Sequence, residues 1–302
     1  LLASSAASDV YKRQCLALFL SGYKGPVVLH WHSDILKQKM LLKLYSPLQN
    51  WLLRRAKVIV GTTPVYVQES PFLENIQRKV ISVPIGIDEM KPVPGRVAQI
   101  KERYAGKKII FSLGRLVEYK GYEYLIKASQ KLNDDYIILI GGKGPLQEYL
   151  QSLIDELGVR KKVKLLGFID DKDLPDYFGA CDLFCLSSIW KTEAFGIVQI
   201  EAMSCGKPVI AMNIPESGVS WVNINRFSGI NVKPEDADAL AEAITAVLTD
   251  ECLYEELARG ARRRYETMFT KELMTELCLN LYSGVLDLSL IHISEPTRPE
   301  PI

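Results

Sequence analysis

The sequence predicts an α/β protein built on two doubly wound parallel sheets, the N-terminal one incomplete. Three observations carry that expectation. Short apolar runs alternate with helix-like stretches from residue 26 onward. Those runs are continuous rather than alternating, which marks strands covered on both faces. Each run is followed by a helical pattern before the next, the βαβ rhythm that right-handed crossovers turn into a parallel sheet.

Taken in order, residues 26–32 read as a short strand and 35–55 as a long amphipathic stretch. Residues 57–62 form a second strand, 64–75 a short helix and 79–85 a third strand. The run Lys91-Pro92-Val93-Pro94-Gly95 marks a linker, because two prolines and a glycine interrupt any periodic pattern. Residues 15–90 thus hold three strands, about half of a Rossmann-like domain. Beyond the linker, strands are expected at 109–113, 136–140, 163–166, 182–187, 208–212 and 229–232. The helix between the first two places Leu125, Ile126, Ser129 and Leu132 on one face. The helix after 136–140 carries Leu146, Leu150, Leu153, Ile154 and Leu157. The last strand is followed by a helix that opens near Asp236, a good N-cap, with Leu240, Ile244, Val247 and Leu248 at helical spacing. The segment 91–264 is therefore read as one complete Rossmann-like domain, followed by a helix over 265–286.

Composition narrows the function classes. The 302 residues carry a net charge of +1, so no global field steers the chain to nucleic acid. Six cysteines are scattered without a CxxC pair or a Cys/His quartet, so no metal site is expected. Most of them lie in apolar runs as small buried hydrophobes, which fits a reducing, cytoplasmic compartment. No apolar run reaches the ~18 residues of a membrane span. The basic stretch 36–57, rich in Leu with Trp51 and Tyr45, admits two readings: a helix packed on its own sheet, and a face on an anionic membrane. Residues 5–14 and 288–302 resemble translated sequencing-adapter sequence. The ends 1–14 and 287–302 are set aside as non-native, and the natural protein is expected to extend further towards its N-terminus.

In a doubly wound sheet, ligands sit beyond the carboxyl ends of the strands. Four loops there could carry chemistry. The first, Gly114 to Gly121, holds Arg115 and Lys120 around a strand-to-helix turn. A diphosphate is the natural ligand, gripped by the guanidinium and met by the ammonium as a point charge. Such cations can stabilise a leaving nucleoside diphosphate in the way a Mg²⁺ ion does elsewhere. The plain alternative is two solvated surface cations. The second loop, Gly141-Gly142-Lys143-Gly144-Pro145, lets a ligand approach the backbone, yet matches neither the Walker A nor the GxGxxG pattern. A tight turn explains it equally.

The third candidate is the run Thr192 to Met203, in which Glu193 precedes a helix and Glu201 lies two turns inside it. Eight residues are a little over two turns, so both carboxylates can point along one side and accept sugar hydroxyls. Chance pairing is the alternative, weighed against a preceding loop with Ser187 and Ser188. The fourth is Leu29 to Asp34, where alternation sends His30 and His32 the same way. A histidine there can shuttle a proton or bond a sugar. A satisfied structural histidine is the commoner case.

The order of these loops resembles one family: retaining glycosyltransferases of the GT-B fold, family 4. The resemblance runs over about residues 26–285. It rests on the strand-ending histidine, the hinge Pro84-Ile85-Gly86-Ile87-Asp88, the Gly114-Arg115 to Lys120-Gly121 loop, the glycine loop, and above all EAFGIVQIEAMSCGKPVIA. It implies a metal-independent hexosyltransferase without a cofactor. Arg115 and Lys120 would bind the donor diphosphate, with backbone amides after Phe195 and at Gly196. Glu193 would contact the transferred sugar and Glu201 the ribose. Gly114, Gly141, Gly142 and Gly144 would line the nucleotide cleft, and His32 would stand near the reacting sugar. The helix at 265–286 would cross back to the N-terminal domain. Ile85 replaces an asparagine common in the family's hinge, and the family's N-terminal glycine-rich loop is not present. The run HWHSDI…KQK at 30–39, with SGVSWVN at 217–223, resembles enzymes of bacterial O-antigen or capsule assembly, and so leans towards GDP-mannose-type donors and a glycan or polyprenyl-linked acceptor in bacterial surface polysaccharide assembly. Its partners would be a nucleoside-diphosphate sugar, that acceptor, and the inner face of the membrane. No nucleophile declares itself, so retention by same-face attack is expected. A truncated nucleotide-sugar binding module and a GT-B nucleotide-sugar 2-epimerase are the alternatives.

Overall fold

A computed structural model describes residues 15–32 and 39–286. The expectations placed on 1–14, 33–38 and 287–302 lie outside them. The chain divides into two compact units, Leu1–Pro84 with Thr275–Ile302, and Ile85–Met274.

The first unit is built on three parallel strands, β1 (Val28–Trp31), β2 (Val58–Gly61) and β3 (Val80–Ser82), in that order across the sheet. Helix α1 (Lys39–Arg55) joins β1 to β2. Leu29, Leu52, Leu53, Ile59, Val67 and Leu73 form its core. Helix α2 (Pro64–Gln68) is capped by Thr63, whose hydroxyl oxygen accepts a bond from the Tyr66 amide. The helix expected over 64–75 stops at Gln68, and a 3₁₀ helix follows at Glu74–Lys79. Pro71 explains the break, since it has no amide to donate and disfavours a helical conformation at Ser70.

The second unit holds six parallel strands: β4 (Lys108–Leu113), β5 (Tyr136–Gly141), β6 (Val163–Gly167), β7 (Leu183–Leu186), β8 (Val209–Met212) and β9 (Gly229–Val232). Their order is β6-β5-β4-β7-β8-β9. Every residue of β5, β7 and β8 is buried, the outcome of helices on both faces. Phe111 on β4 meets Phe178 and Phe184 with ring centres 5.2 and 6.0 Å apart. Burying such a ring contributes ~1.5–3 kcal/mol. The crossover helices include α4 (Tyr122–Ala128), α5 (Gln147–Glu156), α6 (Leu174–Ala180), α7 (Ile197–Ser204) and the short α8 (Val219–Val222); α3 (Pro94–Arg103) precedes β4 and α9 (Ala237–Thr249) follows β9. Asp236 caps α9 as expected, accepting from the Ala239 amide at 2.9 Å. The order reverses at β4, whose neighbours are β5 and β7. In sheets of this kind ligands bind at that switch point, here at the carboxyl ends of β4 and β7.

Two boundaries differ from the sequence expectation. Residues 91–95 are no free linker: Pro94 is the first residue of α3, a position where its missing amide costs nothing. The division instead falls at 84/85. Residues 85–90 belong to the second unit because Ile87 exchanges backbone bonds with Phe269 and Lys271 at 2.9 and 3.0 Å and its carbonyl accepts from the Tyr265 hydroxyl. The segment 265–286 is likewise not one helix. Helix α10 (Glu251–Met268) ends before Phe269, and α11 (Lys271–Leu286) starts anew after Thr270, which is drawn into a bridge with Ile87. Among the described residues no helix is long and apolar enough to cross a membrane.

Candidate functional site

The loops after β4 and β7 meet at the switch point. Gly121 follows the first of them in the left-handed region, and a Cβ there would lie 2.3 Å from the Ser187 carbonyl oxygen. That close approach locks the two loops together: the Ser187 hydroxyl donates to the Lys120 carbonyl at 2.8 Å, and the Ile189 amide to that of Tyr119. The lock places two predicted residues in contact. The Lys120 ammonium donates to Glu193 Oε2 at 2.5 Å, with side chains only 10% and 12% exposed. The Ser188 hydroxyl donates to the same oxygen at 2.9 Å. Burial alone lowers the Lys120 pKa, but the Glu193 charge and hydrogen bond, helped by Tyr119, carry it above the ordinary value.

Behind this pair, the Ser217 hydroxyl donates to the Glu193 carbonyl and the Gly218 amide to that of Ala194. Neither Ser217 nor Gly218 stands out by spacing or periodicity. They brace the backbone that carries the carboxylate. Arg115 stands differently. The residue is exposed and in no ion pair among the described residues, which leaves it open to an anion.

The glycine loop lies beside Gly114. The Gly114 amide donates to Gly141, Leu116 to Lys143 and Leu146 to Leu116. A Cβ on Gly142, whose φ is +129°, would sit 1.8 Å from the Gly114 carbonyl oxygen, and one on Gly144 would sit 2.3 Å from that of Leu116. The glycines at 142 and 144 are thus required by backbone on backbone, whereas a Cβ on Gly114 would meet the Tyr122 hydroxyl at 2.8 Å and the Lys120 side chain.

Glu193 and Glu201 are not related by helical periodicity, against the sequence expectation. Glu193 lies in the loop, Gly196 turns the chain with φ +75°, and only then does α7 begin. The side chain of Phe195 packs into the core against Phe269. Glu201 sits inside α7 with Oε2 buried and without a hydrogen-bond partner among the described residues. Burial first, and the Asp171 charge second, push its pKa up to about 7. Asp171 lies in the loop after β6, a residue that no periodic signal singled out.

His32 belongs to the first unit, while every other predicted site residue belongs to the second. Its ring stacks on His30 with centres 6.1 Å apart, and His30 Nε2 bonds the Tyr282 hydroxyl at 2.9 Å. Burial, then the neighbouring His30, lowers the His32 pKa. Among the described residues no group of three His, Cys, Asp or Glu side chains is placed to hold a metal ion. A cleft of about 510 Å³ lined by Met90, Val97, Cys205, Lys207 and Arg262 lies just before β8 and contains none of the predicted site residues.

The sequence profile of the family described as Glycosyl transferases group 1 matches residues 96–264. The O-antigen chain mannosyltransferase C of Escherichia coli is 32% identical over 262 residues, covering 86% of this chain and 69% of that protein. The D-rhamnosyltransferase WbpZ of Pseudomonas aeruginosa is 34% identical over 258 residues, covering 84% of this chain and 66% of that one. Among solved structures, Anabaena HepE in complex with UDP has a TM-score of 0.78 at 23% identity, covering 90% of this chain and 76% of that one. The sucrose-phosphate synthase of Thermosynechococcus elongatus has a TM-score of 0.76 at 25% identity, covering 90% and 71%.

Proposed function

The chain belongs to the glycosyl transferases group 1 family, and from that premise we propose that its second unit is the donor site of a metal-independent, retaining hexosyltransferase. One observation carries the reading. Lys120 and Glu193, a cation suited to a phosphate and a carboxylate suited to sugar hydroxyls, meet at the switch point although 73 residues separate them. Arg115 and Lys120 hold the diphosphate and stabilise it as it leaves. Glu193 orients the sugar, Glu201 takes the ribose, and Gly114, Gly141, Gly142 and Gly144 let the nucleotide lie against the backbone. Amides at Phe195 and Gly196 face the phosphates. His32 enters through the family resemblance alone.

In the proposed step the bond from the sugar's anomeric carbon to the diphosphate oxygen breaks. The acceptor oxygen bonds that carbon on the same face, and its proton passes to the departing diphosphate. The chain's part is positioning and charge stabilisation. The donor is of the GDP-mannose type and the acceptor a glycan or polyprenyl-linked chain of a surface polysaccharide, at the cytoplasmic face of the bacterial membrane. The likeness to an O-antigen chain mannosyltransferase, and to a GDP-mannose-dependent mannosyltransferase of Mycolicibacterium smegmatis, supports that choice.

Calorimetric titration of GDP and UDP in EDTA tests the donor site. One nucleotide binds without metal, and Arg115→Ala weakens it by ~1.5–3 kcal/mol, the size of a charge-assisted hydrogen bond. Folded protein that binds neither nucleotide would remove the donor-site assignment.

A further inference from the structure

A buried ion pair inside a ligand site poses a question, because each partner is already occupied before the ligand arrives. Lys120 and Glu193 form such a pair, with side chains 10% and 12% exposed. The proposed function assigns them to different parts of one donor, the ammonium to the diphosphate and the carboxylate to the sugar. In the structure they satisfy each other.

We infer that the Lys120–Glu193 ion pair stands in for the donor when none is bound, so that diphosphate binding breaks the pair and unmasks Glu193 for the sugar. The inference rests on the donor-site reading of the second unit. Two contacts decide which partner moves. Ser188, wholly buried, donates to the same Glu193 oxygen, and Ser217 holds the Glu193 backbone. Glu193 is therefore anchored at both its carboxylate and its main chain. Lys120 reaches it through a flexible four-carbon stem, so the ammonium is the partner that swings away. A bare nucleoside diphosphate takes Lys120 and leaves Glu193 with Ser188 alone. A buried carboxylate stripped of its cation is disfavoured, and that loss weakens the binding of the diphosphate. A nucleotide sugar offers hydroxyl donors in place of the ammonium and offsets the loss. Sugar recognition is thereby coupled to phosphate recognition through one salt bridge.

Calorimetry on the full chain with GDP and UDP, in wild type, Glu193→Gln, Lys120→Met and the double variant, reads this coupling. Glu193→Gln frees Lys120 and tightens the bound diphosphate at least fivefold. In the Lys120→Met background the same change alters affinity less than twofold. Should Glu193→Gln leave diphosphate affinity unchanged, the inference falls. It also falls if the tightening persists without Lys120, since Glu193 would then act by direct repulsion of phosphate. In either case the donor site stands, because wild type still binds. Folded wild type that binds neither nucleotide overturns both. Lys120→Met strands a buried carboxylate and risks misfolding, so a second measurement uses wild type. With glutamate Cδ labelled by ¹³C, the carboxyl resonance missing from Glu193→Gln shifts on saturation with the diphosphate that binds. An unmoved resonance means the pair stays closed and overturns the inference.

Discussion

Arg264 stacks on Trp221, its guanidinium carbon 5.0 Å from the ring centre, and donates a 2.6 Å bond to the carbonyl oxygen of the same residue. A second bond runs from its Nε to the Val222 carbonyl at 3.2 Å. The arginine is 4% exposed, and burial lowers its pKa to about 10. Its two bonds close the carbonyl end of α8, the helix preceded by Ser217 and Gly218. Those two residues brace Glu193 and Ala194, so a side chain on α10 supports the candidate site from behind.

Replacing that arginine tests the support. Arg264→Met takes the donor from one buried and one half-buried carbonyl and is expected to cost about 2–4 kcal/mol of unfolding free energy. Arg264→Lys keeps the charge but loses the planar fork, and should recover only part. Urea denaturation measures both. An unchanged midpoint in Arg264→Met would mean that the carbonyls find other donors.

Glu201 predicts a pH dependence of stability. Its folded pKa of about 7 lies well above that of an unfolded chain's glutamate, so the folded chain holds this proton more tightly. The contribution is present in full below the unfolded pKa and is lost as pH rises through the folded one. Between a mildly acidic and a mildly alkaline buffer, wild type should lose about 2 kcal/mol of stability from this group. That figure follows from about 1.36 kcal/mol for each pH unit separating the two pKa values, less partial relaxation. Glu201→Gln, compared with wild type by denaturation in both buffers, should remove that part of the slope. An identical slope in the variant would show that the carboxyl is better solvated than its surroundings suggest.

Gly142→Ala is expected to disturb the nucleotide side of the site. The added methyl would lie 1.8 Å from the Gly114 carbonyl, and φ of +129° is strained for any L side chain. Backbone, not a flexible side-chain end, must then move. A loss of about 2 kcal/mol or more in unfolding free energy is expected, in the range of strained positive-φ sites. Nucleotide affinity should fall with it. Gly158→Ala, also at positive φ but with open space around it, is the control and should show the strain cost alone.

The cysteines should differ sharply in reactivity. Burial pushes the thiols of Cys181 and Cys185 up to about 12, which leaves almost no thiolate near neutral pH. Cys252 is exposed. Ellman titration of the native chain should label Cys252 quickly, and Cys181 and Cys185 only after unfolding. Rapid native labelling of Cys185 would mean that β7 opens readily to solvent.

Local physics makes much of this chain readable from its residues alone. Continuous runs without polar alternation in β5, β7 and β8 announce strands covered on both faces, because burial on two sides excludes polar alternation. Asp236 announces the start of α9, because a cap is a contact between residues three apart. The glycines at 114, 142 and 144 can be singled out as backbone-permissive. The element breaks are less visible. The end of α2 before Pro71 follows from proline chemistry that periodicity conceals. The break at Phe269–Thr270 has no local signal, since Thr270 leaves the helix to bridge Ile87, which lies far earlier in the chain.

Residue chemistry and strand–loop–helix order single out Arg115, Lys120 and Glu193 as candidates for phosphate and sugar. Which of them meet is a matter of the fold. Strand order sets β7 beside β4, and that adjacency brings Glu193 to Lys120, while Gly196 separates the loop of Glu193 from the helix that carries Glu201. The difference is one of range. Periodicity and capping report on neighbours along the chain, whereas the pairing of strands is settled by how whole helices cover both faces of the sheet.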